Sequence, residues 1–211
     1  MKQELESILS FGAQAVSGEK TIFDQAALRH LDRLMEDNSG YKANPADPAV
    51  LSQELREGTA KNGQSPLAVI VCCSDSRVPP GHIFHAGIGE LFIIRNAGNL
   101  ISDFALGSVE YAVEHLETPL VVVMGHTGCG AVGTALTPAQ EKGGLAAILA
   151  EIRDAIAGES DPHQAVRKNT LHGLATLGRS PILKELHQAG KVEFAAAIYD
   201  IHSGHVDFLQ D

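Results

Sequence analysis

Beyond Gly63 the chain alternates short apolar runs with segments of helical periodicity, and this alternation restricts its fold more than any other feature. Leu67-Ala-Val-Ile-Val-Cys72-Cys73 is apolar throughout, as a strand buried on both faces of a parallel sheet should be. Leu91–Ile94, Leu120–Met124 and Phe194–Tyr199 are further runs of this kind, and Val206–Leu209 is a short fifth. Helical spacing over about residues 101–116, 129–137, 144–158, 161–177 and 180–189 separates the others. Strands alternating with helices predict a parallel sheet with right-handed crossovers. The last pair differs, because Asp200-Ile-His-Ser-Gly204 reads as a hairpin turn and sets the fifth strand antiparallel at an edge. The expected class is therefore α/β: a mainly parallel sheet of four strands plus an antiparallel edge strand, flanked by helices.

The chain before residue 63 has another character. Leu5, Ile8 and Leu9, then Phe23, Ala27, Leu28, Leu31 and Leu34, form stripes at i, i+3/i+4 spacing. Asn38-Ser39-Gly40, with Pro45 and Pro48 beyond it, is expected to break this pattern, and a third helix is expected from about Pro48 to Thr59. These segments form an N-terminal helical arm whose stripes need a surface to cover them, either the core or a second subunit. Lys plus Arg number 16 against 26 Asp plus Glu, a formal charge of −10, which phosphate backbones would repel; no nucleic-acid partner is expected. No apolar run approaches the ~20 residues that cross a bilayer, so no membrane association is expected. Three cysteines, two of them adjacent, make no disulfide framework and suggest a reducing compartment. The opening MKQELESILSFG lacks a basic segment followed by an apolar run, so the expected location is cytoplasmic unless a leader has been removed before this numbering begins.

Two loops carry chemistry, and both follow a predicted parallel strand at its C-terminal end, where open α/β sheets place ligands. They are Cys73-Ser74-Asp75-Ser76-Arg77 and Gly125-His126-Thr127-Gly128-Cys129-Gly130. Two thiols and an imidazole are zinc ligands, and three protein ligands with a fourth place open is the catalytic arrangement. His126 and Cys129 are three apart across a turn, and Cys73 comes alongside if its strand neighbours theirs. Each residue has a plainer reading, since a lone cysteine is most often core and H-x-x-C is a common spacing. Cys72 takes that reading, because strand side chains alternate and it points away from Cys73. The remaining histidines read as surface or turn residues, with His82 and His85 nearest the first loop and candidates for proton transfer. Asp75 and Arg77 are close enough to pair, which would keep Asp75 an ionised acceptor. That pair is either structural or, beside an open metal position, catalytic; the catalytic reading is preferred.

These stretches resemble the β-class carbonic anhydrases. The likeness runs through Cys73-Ser74-Asp75-Ser76-Arg77-Val78-Pro79-Pro80, Leu91-Phe92-Ile93-Ile94-Arg95-Asn96-Ala97-Gly98-Asn99 and Leu106–Ala112. It continues through Gly125–Val132, Ser180–Leu183 and Ala197–Asp200, covering the chain from about Pro66 onward in order. The resemblance implies a single domain over residues 1–211, with residues 1–62 the helical arm and 63–211 the catalytic α/β core. It implies one zinc per subunit on Cys73, His126 and Cys129. The implied reaction is reversible hydration of carbon dioxide to bicarbonate and a proton by zinc-bound hydroxide. Two thiolates make the metal less acidifying than three imidazoles would. Asp75, held by Arg77, is the implied acceptor that offsets this, and amides around Gly130 are the implied substrate contact. In a closed, inactive state Asp75 would itself ligate zinc. Homodimers or homotetramers are implied, with the arm wrapped on a neighbour. The chain departs from many members in lacking a Gln within His85-Ala86-Gly87-Ile88-Gly89, and it has no Trp for a regulatory bicarbonate site. A carbonyl sulfide or carbon disulfide hydrolase on the same scaffold is one alternative. A non-catalytic zinc-binding module is another, although such a module has no need of Asp75 and Arg77.

Overall fold

In the computed structural model, residues 25–43, 52–138 and 140–209 are described. The strands are β1 (Ala68–Cys73), β2 (Leu91–Asn96), β3 (Leu120–His126), β4 (Glu193–Tyr199) and β5 (Val206–Phe208). The described helices are α1 (Gln25–Ala43), α2 (Gln53–Asn62), α3 (Pro80–Ile83), α4 (Asp103–His115), α5 (Gly130–Ala135), α6 (Gly144–Ala155), α7 (Pro162–Leu177) and α8 (Pro181–Gln188). One sheet has the order β2-β1-β3-β4-β5, with β5 antiparallel to β4 and every other pairing parallel. This is the expected α/β class, with its crossovers made by helices.

Side-chain chemistry sorts the strands across the sheet. Every residue of β1 and β3 is buried, and each enclosed aliphatic side chain contributes on the order of 2 kcal/mol, so these runs take the centre. β2 carries Arg95 and Asn96 and stays half-exposed at one edge, while the three-residue β5 exposes Asp207 at the other. The pleat sends Ile70, Cys72, Val122, Met124 and Tyr199 into one layer with Leu34, Ile83 and Phe84. Val69, Val71, Val121 and Val123 face α4, α7 and α8 through Val109, Leu174, Leu177 and Leu183. A third cluster, at the C-terminal end of the central strands, joins Cys73 and Cys129 to Val132, Leu149, Ile152 and Val166.

The arm departs from expectation at one place. Helix α1 does not break at Asn38-Ser39-Gly40 but continues to Ala43. Asn38 is buried and spends its side chain outside the helix, donating from Nδ2 to the Ile83 carbonyl at 3.1 Å and the Gly204 carbonyl at 2.9 Å. Its Oδ1 accepts from the Val206 amide at 3.0 Å, so one side chain ties α1 to α3 and the β4–β5 turn. Leu34, one turn earlier, is fully enclosed. Tertiary bonds therefore override the poor helix propensity of Asn, Ser and Gly. The third arm helix begins at Gln53, because Ser52 accepts from the Leu55 amide and caps it. The stripe residues Leu5, Ile8, Leu9 and Phe23, and the expected helical start at Pro48, lie outside the described residues. Short α3, between the first loop and β2, went unread.

Candidate metal centre

Strands β1 and β3 are hydrogen-bonded neighbours in register Val69↔Val121 to Cys72↔Met124, so their C-terminal ends adjoin. Cys73 ends β1, His126 ends β3, and Cys129 is the N-cap residue of α5. Gly125 lets α7 approach β3 here: a Cβ at that position would stand 2.1 Å from Thr170 Oγ1 and 3.3 Å from Val166 Cγ1. The ligand atoms of Cys73, His126 and Cys129 lie within 4.8 Å of one another, and all three residues are buried. The two sulfurs are 4.0 Å apart. Tetrahedral zinc, with bonds of about 2.3 Å to sulfur, wants roughly 3.8 Å between them.

The imidazole is set for the same task. His126 Nδ1 lies 3.0 Å from the Thr127 carbonyl, which only a protonated Nδ1 can satisfy. Nε2 then carries the lone pair, and it is buried with no hydrogen-bond partner. An orphaned imidazole nitrogen facing two thiols is a donor set that fits zinc. Without a cation the thiols resist joint ionisation. Cys73 ionises first, its thiolate favoured by a hydrogen bond from Cys129 and by the Gly98 and Asp75 amides, against burial. Cys129 is held protonated by that bond to Cys73 and by burial. A dication removes this conflict.

Asp75 adjoins the group. Arg77 donates from Nε to Oδ1 at 2.9 Å and from Nη2 to Oδ2 at 2.7 Å, and its own amide adds a third bond to Oδ1 at 2.9 Å. The bonds from the Arg77 side chain hold the Asp75 carboxyl well below the usual carboxylate range, against a smaller opposing effect of burial. Asp75 Oδ2 lies 3.9 Å from His126 Nε2. Arg77 Nη2 also reaches the Gly128 carbonyl at 3.2 Å, fastening the first loop to the second. Gly130 opens α5 with open space beside its Cα. The Ala131 and Val132 amides after it favour the Cys129 thiolate, against the larger opposing effects of Cys73 and burial. Cys72 lies on the opposite side of β1, and burial pushes its thiol up to about 12. His82 is exposed and His85 packs near Gly40 of α1; neither joins the ligand group.

One residue of this region had no assigned role in the sequence. Arg95 of β2 donates from Nε to the Cys73 carbonyl at 3.1 Å and from Nη2 to the Asp75 carbonyl at 2.7 Å, bracketing the first loop. Its signal was a charged residue at the end of an otherwise apolar run.

The comparisons with known proteins agree with this geometry. The family model described as carbonic anhydrase matches residues 68–206. Carbonic anhydrase 2 of Mycobacterium tuberculosis is 47% identical over 103 residues, 49% of this chain and 49% of the relative. A carbonic anhydrase of Pseudomonas aeruginosa is 35% identical over 163 residues, 69% of this chain and 74% of the relative. Among solved structures, a tetrameric β-carbonic anhydrase of Sordaria macrospora superposes with a TM-score of 0.68 at 27% identity, covering 82% of this chain and 91% of that one. The β-carbonic anhydrase CafA of Aspergillus fumigatus gives 0.67 at 33% identity, covering 75% and 83%. The chain belongs to the β-class carbonic anhydrase family. The matched region spans about half the length of the M. tuberculosis relative.

Proposed function

We propose that this chain holds one zinc ion through Cys73, His126 and Cys129 and catalyses the reversible hydration of carbon dioxide to bicarbonate and a proton. The observation that carries the reading is the pairing of the buried ligand group with an ionised Asp75 whose Oδ2 is 3.9 Å from His126 Nε2. A purely structural metal has no use for such a carboxylate. Zinc would supply a Lewis acid that makes water a nucleophile near neutral pH. Asp75, kept ionised by Arg77, can only accept hydrogen bonds, so it orients the attacking oxygen by holding that oxygen's proton. Arg77 prevents Asp75 from turning onto the ligand group. The Gly130 amide, at the opening of α5, is offered to the carboxylate that develops on the substrate.

An even-numbered homo-oligomer is part of this reading. The Sordaria relative is described as tetrameric, β2 has no partner on its outer edge among the described residues, and Phe104 of α4 is 92% exposed. Among the described residues no helix is long and apolar enough to cross a membrane. Three unpaired cysteines suit a reducing compartment, and we place the protein in the cytoplasm. The test is zinc content per chain together with stopped-flow carbon dioxide hydration. One zinc and rapid hydration are expected, with metal loss in Cys73→Ser and Cys129→Ser. Full zinc retention in both variants refutes the ligand assignment, and a zinc-loaded protein without hydration refutes the activity.

A further inference from the structure

We propose that Asn169 of α7 is a positioning residue for the Cys73 thiolate: it pins the Gly98 turn so that the Gly98 amide donates to Cys73 Sγ. The inference rests on the reading of Cys73 as a metal ligand. The Gly98 amide nitrogen is 3.4 Å from Cys73 Sγ in a buried contact. The donor belongs to the turn after β2, an element separate from the strand that carries the thiol. Asn96 closes this turn, donating from Nδ2 to the Leu100 carbonyl and accepting the Leu100 amide at Oδ1, both at 2.7 Å. These bonds give the turn its shape, and the β1–β2 pairing of Cys73 with Asn96 sets its base, leaving the Gly98 tip to be held from the other side.

The Gly98 tip is held from α7. Asn169 is 2% exposed and donates from Nδ2 to the Gly98 carbonyl at 2.8 Å. Its Oδ1 is buried and has no hydrogen-bond partner among the described residues. A side chain selected for stability alone would satisfy both ends or be apolar; here one end is sacrificed and the donor is aimed at the residue that bonds the thiol. Glycine is required at the far end of the link, since Gly98 has φ +78° and a Cβ there would stand 2.8 Å from Ile152 Cδ1. The Gly98 turn is thus wedged between Ile152 of α6 and Asn169 of α7, against Cys73.

The chemical consequence lies in the sulfur. Two thiolates donate more charge to a metal than imidazoles do, which weakens its Lewis acidity. An N–H donor withdraws charge from a metal-bound sulfur, as hydrogen bonds to cluster sulfurs do in iron–sulfur proteins. At Cys129 the amides that favour the thiolate are those of Ala131 and Val132, which follow it directly in the chain. Cys73 has its Gly98 donor from the turn of the neighbouring strand, and Asn169 holds the Gly98 peptide of that turn.

The test uses the protein reconstituted with cadmium-113 or with cobalt(II). In the parent, the Gly98 amide proton should show scalar coupling to cadmium through Cys73 Sγ, and the Asn169 side-chain amide protons should exchange slowly. Asn169→Asp keeps the shape without the donor, and Asn169→Ala removes both. Each should lose the coupling, move the sulfur-to-cobalt charge-transfer band to longer wavelength and weaken zinc binding by about 10-fold or more. Thr176→Val, which removes a half-buried bond on the same helix to the His172 carbonyl, should change none of these. A cadmium-loaded parent without the Gly98 coupling overturns the inference even if no variant folds. So do Asn169 variants that keep the coupling and the band, or a Thr176→Val variant with the same shifts. A parent that takes up neither metal overturns the metal reading itself, which is a separate result.

Discussion

Replacing Asn38 with alanine should destabilise the protein far more than a helix substitution at a polar residue normally does. The side chain makes three bonds to backbone groups that belong to other elements. Ile83 and Val206 are buried, so the Ile83 carbonyl and Val206 amide would be left without partners, while water can reach the half-buried Gly204. Each orphaned group costs about 1–3 kcal/mol, and alanine's better helix propensity returns only about 0.5 kcal/mol. The net loss is then roughly 2–5 kcal/mol. For a chain of this size each kcal/mol lowers Tm by about 2–4 °C, which predicts a fall of roughly 5–15 °C. Asn38→Asp keeps the acceptor for Val206 but turns both donors into acceptors facing carbonyls, so at neutral pH it should be no milder. Thermal melts at fixed protein and zinc concentration measure this, because bound metal and subunit association both shift Tm. A fall below about 2 °C in both variants would refute the view that this side chain joins α1 to the sheet.

Arg77→Ala releases Asp75 beside the ligand group. Hydration should fall by about 100-fold or more with zinc retained, and parent-like turnover would mean the pair is structural. Removing residues 1–35 deletes Leu34 and the first part of α1, uncovering the layer over Ile70 and Met124; size-exclusion chromatography should show dissociation or aggregation, and a fully active, well-folded monomer would contradict this. Glu193 is buried at the start of β4, and burial raises its carboxyl to about 7. A raised acid binds its proton more tightly in the folded state, so stability is greatest below the unfolded value near 4.5 and falls as pH rises toward 7, by up to about 3 kcal/mol. Glu193→Gln should flatten that slope in urea titrations from pH 4.5 to 7.5, and an unchanged slope would assign the dependence elsewhere.

What could be read from the sequence was whatever follows from local periodicity. Continuous apolar runs fixed the strands to within a residue or two, and the hairpin turn fixed the direction of β5. The metal group was legible because its three residues end neighbouring strands or follow directly, and because Asp75 and Arg77 lie within four residues of Cys73. What stayed hidden depends on contacts between distant residues. Asn38 looked like a helix breaker because its 45- and 168-residue separations from Ile83 and Val206 leave no local trace. Arg95 bonds the Cys73 and Asp75 carbonyls across 22 and 20 residues, and Asn169 meets Gly98 across 71.

The adjacent cysteines show how little separates a ligand from a core residue here. Cys72 and Cys73 share a strand and a side chain, yet the pleat turns one toward Met124 and the other toward Cys129. In the first place burial outweighs the favourable charge of Arg95 and drives the thiol's ionisation out of reach. In the second, the second thiol and the Gly98 and Asp75 amides favour the thiolate despite comparable enclosure. Burial is therefore not what distinguishes Cys73 from Cys72, since both cysteines are nearly inaccessible. Hydrogen-bond donors aimed at sulfur make the difference, and three elements supply them: β2 through its Gly98 turn, the loop after β1, and the start of α5 through Cys129. A parallel sheet brings such donors together only at the carboxyl ends of its strands, so a one-residue register slip in β1 would exchange the two thiols and place the inert one at the centre.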